Sequence, residues 1–327
     1  MKKFLAVILG ILLCLSSVSL FACGESKSEY TFTAPDGAPA LAIAKFIEDK
    51  ENFGLKSNIS YSVTSADKIG LALTQGTSDF VIAPVNLASK LYNASSDGYK
   101  MLSVVTHGNL YIASKSEITI QDLKGKVVGA IGKGAVPGLT FTAVLEKNGI
   151  EYAEGDVAID GKVVIQYFND ASLLIPQLKT GKLEIGLLPE PAVSNLSKME
   201  SAFAYRLDVQ ELYNPTLKAY PQAVLMVKNS VLEKNPNLAN AVKDKFDANV
   251  LWVKDNTASA VNTVKGVLLE GLTPSLKAEA ITSQVVDNCK IYWKSSKDAV
   301  TYVSEYINSL IALNPMAAKV VTNDFFA

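Results

Sequence analysis

The side chains with the sharpest chemistry are few. His107 is the only histidine in this 327-residue chain, Arg206 the only arginine, and Cys14, Cys23 and Cys289 the only cysteines. One histidine and Cys289, the single cysteine beyond the N-terminal leader and Cys23, cannot supply the three or four nitrogen and sulfur ligands of a zinc site. There is no Gly-x-Ser-x-Gly elbow and no second histidine, which leaves a Ser-His-Asp hydrolase without its parts. The glycines of Gly132-x-Gly134-x-x-x-Gly138 miss the dinucleotide fingerprint by one residue in their last interval, and no acid is placed for a ribose. No cofactor is expected, and the chemistry left is recognition. Asp36 and Glu190 each read two ways: as acceptors for a ligand amine or ring N–H, or as acids at a helix start. His107 reads as a ligand contact or as a hydrogen-bonded histidine at a domain boundary. Tyr111, Phe168 and Tyr220 read as stacking faces for a flat ligand or as strand residues of the core.

These residues fall at the joints of a repeated unit. Residues 164–196 read as strand, polar turn, helix, glycine stop, strand, proline and helix. Residues 59–91 repeat that order with no gap. Ser65 matches Asp170, Gly76 matches Gly181 and Pro84 matches Pro189, at a constant offset of 105 (181 − 76 and 189 − 84). Ser and Asp are helix N-cap types, and glycine is a helix stop. The front ends echo as well: a strand at 30–34 leads into Pro35-Asp36-Gly37-Ala38-Pro39, and a strand at 127–131 leads into Gly132-Lys133-Gly134-Ala135-Val136-Pro137. Two copies of one supersecondary unit account for this; the alternative is that any two β-α-β units share such punctuation.

In open α/β sheets, ligands sit outside the carboxyl ends of the strands. Helix N-termini at those ends offer backbone N–H groups to an anion or a polarised oxygen. The rule selects Asp36, Gly37, Ala38, Pro39, Ser65, Pro84 and Asn86 in one copy. In the other it selects Gly134, Ala135, Val136, Phe168, Asn169 and Glu190. His107 and Tyr220, on segments running between the copies, complete the expected ligand-binding set. Each residue alone reads as a strand or helix terminator; as a set the loops favour a site.

Lys2 and Lys3 precede an apolar run at 4–15, too short for a membrane span and laid out like a secretory signal. A short, weakly polar segment follows and ends in Leu20-Phe21-Ala22-Cys23, which resembles a lipobox whose cysteine is lipidated. The alternative is plain secretion with Cys23 as a free thiol. The expected organisation is a signal peptide at 1–22 and a tether at 23–29, lipid-anchored at Cys23 on the extracytoplasmic face of the membrane. Lobe one follows at 30–114 and 219–327, with lobe two at 115–218. Cys289 is then left alone, without a disulfide framework. A hydrophobic content of 49% supports large cores, and a net charge of −1 argues against nucleic acid. A long strand-rich stretch at 99–114, broken by Gly108, crosses between lobes near 112–118, and the chain returns near 213–220. Beyond Ser230 the pattern is helical without strands and is expected to dock on lobe one. Paired crossings permit hinge closure.

The leader, the loop Pro35-Asp36-Gly37-Ala38-Pro39, the run Asp122-Leu123-Lys124-Gly125-Lys126-Val127-Val128-Gly129 and the Glu190-Pro191-Ala192 turn together resemble a family. It is the solute-binding proteins of ABC importers, in the branch of nitrate, sulfonate, taurine and thiamine-pyrimidine-precursor binders. The resemblance implies an α/β fold of the two-lobed periplasmic-binding-protein type II class, each lobe a mixed sheet flanked by helices. It also implies closure on a ligand and delivery to a membrane permease; the expectation is a non-enzymatic monomer that captures a small organic ligand for an ABC permease. The lack of arginine in the loops tilts the expected ligand toward a neutral or cationic molecule, since tight sulfonate or phosphate recognition often uses a bidentate arginine. Two rivals stand beside this: a ligand-converting enzyme of the same fold with His107 as acid or base, and an extracellular sensor subunit.

Overall fold

The computed structural model describes residues 29–327. The leader, Cys23 and residues 24–28 of the tether lie outside the described residues. Twelve strands are named here in chain order: β1 (Tyr30–Pro35), β2 (Ile59–Thr64), β3 (Phe80–Pro84), β4 (Tyr99–Thr106), β5 (Leu110–Ser114), β6 (Val127–Ile131), β7 (Tyr152–Glu154), β8 (Val163–Phe168), β9 (Ile185–Pro189), β10 (Tyr205–Asp208), β11 (Ala223–Lys228) and β12 (Ile291–Ser295). They form two separate six-stranded mixed sheets, ordered β12-β4-β11-β3-β1-β2 and β10-β5-β9-β6-β8-β7. Helices flank both.

The duplication suggested by the punctuation is present in the topology. In the first sheet β1 lies between β2 and β3, parallel to both, and antiparallel β11 flanks β3. In the second, β6 lies between β8 and β9, parallel to both, and antiparallel β5 flanks β9. Pro84 and Pro189 are the last residues of β3 and β9. Gly76 and Gly181 both adopt positive φ at helix ends. Asp170 caps the Ala171–Lys179 helix, its Oδ1 accepting from the Ser172 and Leu173 amides at 2.8 and 3.3 Å. Its counterpart differs: Ser65 precedes a 3₁₀ turn and makes no side-chain cap.

Three expectations are corrected. The first crossing is at 107–109, not 112–118: β5 pairs with β9 in the second sheet, so residues 110–114 leave lobe one. The tail is not free of strands, because β12 adds to the edge of the first sheet beside β4. Nor is the tail helical throughout: one helix stops at Lys265, and the next begins only at Ser283–Asn288, after a 3₁₀ turn at Ala278–Ala280. Leu268 instead forms a parallel bridge to Val63 of β2.

Gly108 is required at the first crossing. Its φ is +88°, and a Cβ there would lie 2.6 Å from Gln210 Cγ and 2.7 Å from Tyr220 Cε1. The crossings are packed together through aromatic rings. Tyr220 stacks on Tyr306 at 5.4 Å between centroids, and Tyr213 meets Tyr306 edge-on at 5.5 Å. Tyr306 belongs to the Ser296–Leu313 helix, which packs on lobe one. Its hydroxyl bonds Thr140 Oγ1, on the Val136–Lys147 helix of lobe two, at 2.7 Å. One apolar core therefore runs from Met101 and Val104 in the first sheet through these tyrosines to Val128 and Leu187 in the second.

Candidate ligand cleft

A strand whose neighbours leave in opposite directions opens a crevice at its carboxyl end. β1 and β6 are such strands, so the loops after them are the natural walls of a site. The loop after β1 is held by Asp36. Its amide donates to Thr64 O at 2.9 Å, its Oδ1 accepts from Gly37 N at 2.8 Å, and its Oδ2 accepts from Ser275 N at 2.6 Å. Gly37, at φ +99°, turns the chain into the short Ala38–Leu41 helix with Pro39 in its first turn. Ser65 follows β2, half-buried, at the same sheet edge.

The loop after β6 explains the glycine pattern without a cofactor. Gly132 and Gly134 take φ of +71° and +70°, and a Cβ on Gly138 would meet Gly132 O at 2.6 Å. The run lets the Val136–Lys147 helix start tight against its own loop. Gly134 is exposed, Ala135 half-buried and Val136 buried. Half-buried Phe168 ends β8, with Asn169 exposed beside it. Lys133 is paired with Glu154 at 2.5 Å on the exposed surface.

The two copies are tied at the crossings by a chain of hydrogen bonds. Val85 N, just past Pro84, donates to Gln222 O at 3.0 Å. Gln222 Nε2 donates to Asn109 Oδ1 at 2.7 Å, and Asn109 Nδ2 donates to Glu190 O at 2.9 Å. Glu190 N returns a bond to Asn109 O at 2.7 Å. Pro84 and Pro189 thus border one junction between the lobes. Asn109 and Gln222 carried no sequence signal, since their partners are 81 and 113 residues distant.

Four expected contacts take structural roles. His107 is fully buried, face to face with Tyr292 at 3.5 Å and 4°. Its Nε2 donates to Tyr292 O at 3.0 Å, which leaves Nδ1 to accept from the Tyr302 hydroxyl at 3.3 Å. Burial pushes its pKa down to about 3, so the ring is neutral. Tyr220 is fully buried in the aromatic cluster. Asn86 is buried and donates to Ala317 O at 3.0 Å. Glu190 is buried with its oxygens taken: Oε1 accepts from Ser194 Oγ at 2.8 Å, Arg206 Nη1 at 2.9 Å and Asn288 Nδ2 at 3.2 Å, and Oε2 from Ser194 N at 3.3 Å. Arg206, read from sequence as remote from the loops, reaches into this one.

No family model and no curated protein sequence matches the chain. Solved structures do. An ABC transporter protein from Parabacteroides distasonis superposes with a TM-score of 0.73 at 18% identity, over 92% of this chain and 99% of that one. The periplasmic aliphatic sulphonate binding protein SsuA from Escherichia coli gives 0.64 at 16% identity, over 92% and 96%. The alkanesulfonate-binding SsuA of Xanthomonas axonopodis pv. citri, bound to MOPS, gives 0.58 at 16% identity, over 90% and 96%. The chain has the two-lobed fold of the ABC solute-binding proteins. In this fold the two switch-point loops, 35–39 and 132–137, come one from each lobe. Among the described residues, the charged side chains flanking them, Asp36, Lys133, Glu190 and Arg206, all have partners within the protein.

Proposed function

We propose that the chain is the extracytoplasmic substrate-binding component of an ABC importer, capturing a small organic ligand between its lobes and passing it to a membrane permease. The observation that carries the reading is the duplicated topology: each lobe offers a switch-point crevice, and the chain passes between the lobes at 107–109 and 214–222. Closure then shifts a population toward contacts that exist only when both loops meet the ligand. The residues proposed to line the site are Asp36, Gly37, Ala38, Pro39 and Ser65 from lobe one, with Gly134, Ala135, Val136, Phe168 and Asn169 from lobe two. Phe168 supplies a ring for stacking, and the loop amides and Ser65 supply hydrogen bonds. The enzyme reading is disfavoured by His107, whose buried, neutral and doubly bonded ring has no path to a substrate proton.

The test is a thermal-shift and native-mass-spectrometry screen with MOPS, taurine, ethanesulfonate, primary amines and neutral nitrogen heterocycles. A ligand that binds one to one and raises the melting temperature supports capture. A protein that responds to no member, and is isolated with no bound small molecule, speaks against it. Lipid anchoring at Cys23 is part of the same proposal. Acyl labelling of the secreted chain that survives Cys23→Ser would remove it.

A further inference from the structure

We propose that residues 275–290 form a clasp that holds the lobes together, with Asn288 as its cross-lobe positioning residue; this rests on the ligand-capture reading above. The segment belongs to lobe one. Val285 and Val286 are buried in that lobe's core, and β12 follows directly. Yet it bonds to the first crossing and to the other lobe at several points along its length. Nearest the first crossing, Lys290 O accepts from His107 N at 3.0 Å. Next, Asn288 Nδ2 donates to Glu190 Oε1 at 3.2 Å, and the Tyr111 hydroxyl, on β5 of lobe two, donates to Asn288 O at 3.3 Å. Further along the segment, Lys198 of the lobe-two helix Ala192–Met199 donates to Glu279 O. Within its own lobe, Ser275 N holds Asp36 Oδ2 at 2.6 Å, in the loop after β1.

The chemistry at Asn288 suits a bond made and broken repeatedly. Its Oδ1 accepts from Gln284 Nε2 at 3.1 Å, which turns Nδ2 toward Glu190. When the lobes part, Glu190 is not left as a bare buried charge, because Arg206 and Ser194 stay with it in lobe two. At Asn288, opening therefore sheds a neutral-donor bond and leaves the ion pair intact. A rotation about 107–109 displaces groups in proportion to their distance from it. Such a rotation must break the bonds at Glu279 and at Asn288, and Asn288, two residues from the bond that Lys290 makes to the crossing, limits how far the lobes swing. The same segment positions Asp36, so the switch-point loop and the cross-lobe bonds move as one piece.

The experiment uses the full mature chain without ligand, read by small-angle scattering and by hydrogen exchange over residues 276–288. Asn288→Asp puts a carboxylate against Glu190, and like charges repel. The expected result is a larger radius of gyration and a loss of exchange protection in the clasp, with the core strands still protected. The double variant Asn288→Asp with Glu190→Gln restores one donor facing one carboxylate and brings the scattering curve back toward the parent. If Asn288→Asp does not fold, Asn288→Leu and Lys198→Met are read in the same way. Folded variants whose scattering and exchange match the parent overturn the clasp, leaving ligand capture untouched. A chain that binds nothing in the screen sinks capture, whatever the scattering shows.

Discussion

His107 illustrates how burial, not residue type, decides what a titratable group does. Free imidazole takes up a proton near pH 6.5. This one resists until about pH 3 because the charged form would be stranded between Tyr292 and Tyr302. The unfolded chain therefore binds a proton throughout that interval while the native chain does not. Above pH 6.5 both states are neutral and the residue adds no pH dependence. As pH falls below 6.5, native stability drops by up to about 1.4 kcal/mol per unit from this group alone. Denaturant titrations from pH 6.5 to 5, above the carboxylate range, check it: His107→Gln should flatten the dependence that the parent shows. Arg206 makes the complementary case. It is the one guanidinium beside the fully buried Glu190 carboxylate. Removing one partner of a buried pair is costly because the other charge stays behind. Arg206→Ala should lower stability by on the order of 3 kcal/mol, discounted from the upper range because Arg206 is partly exposed and Ser194 and Asn288 remain. A chemical-denaturation midpoint near that of the parent would contradict this account.

At the scale of elements, the centre of each lobe was legible and the periphery was not. β3, β6 and β9 were readable because buried parallel strands leave short apolar runs bounded by turn residues, and β1 because Tyr30, Phe32 and Ala34 alternate with threonines. The glycine stops and the Asp170 cap act within a few residues of themselves, so spacing alone located them. β12 was invisible because Ile291–Ser295 becomes a strand only by pairing with β4, nearly two hundred residues earlier. The structural roles of His107 and Glu190 were hidden for the same reason: their partners Tyr292, Tyr302 and Asn288 come from the far end of the chain. The first sheet has a second feature that sequence hints at and packing explains. Tyr61, Phe32 and Phe80 sit in register on adjacent strands, with Phe32 stacked 5.5 Å from Tyr61 and 5.4 Å from Phe80. Such cross-strand pairs pin register on a sheet with a buried face. Phe32→Ala removes the middle ring from a site with no solvent access and should cost about 3–5 kcal/mol. Phe32→Leu, which keeps most of the volume, should recover more than half of that loss in the same melting experiment.

For the whole molecule, the question is whether two lobes mean two folding units. Sheets joined by short crossings alone would melt separately. Here the apolar core does not stop at the boundary. Tyr220, on the return crossing, packs between Tyr213 of lobe two and Tyr306 of the helix on lobe one. Residues from both sheets share that cluster, and Tyr306 adds its bond to Thr140. Loss of either lobe would expose this surface, so the parent chain should unfold in one calorimetric transition whose van't Hoff and calorimetric enthalpies agree. Tyr220→Ala tests the cause. Truncating a fully buried aromatic should cost about 3–5 kcal/mol, but that cost would not fall evenly. It removes the ring that couples the lobes while leaving each sheet's own packing in place, so the single transition should broaden or divide into two. A lower melting temperature with the enthalpy ratio still at unity would mean that the crossings and the Ser296–Leu313 helix suffice to couple the halves. Ligand closure would then ride on a hinge stiffer than the aromatic cluster alone provides.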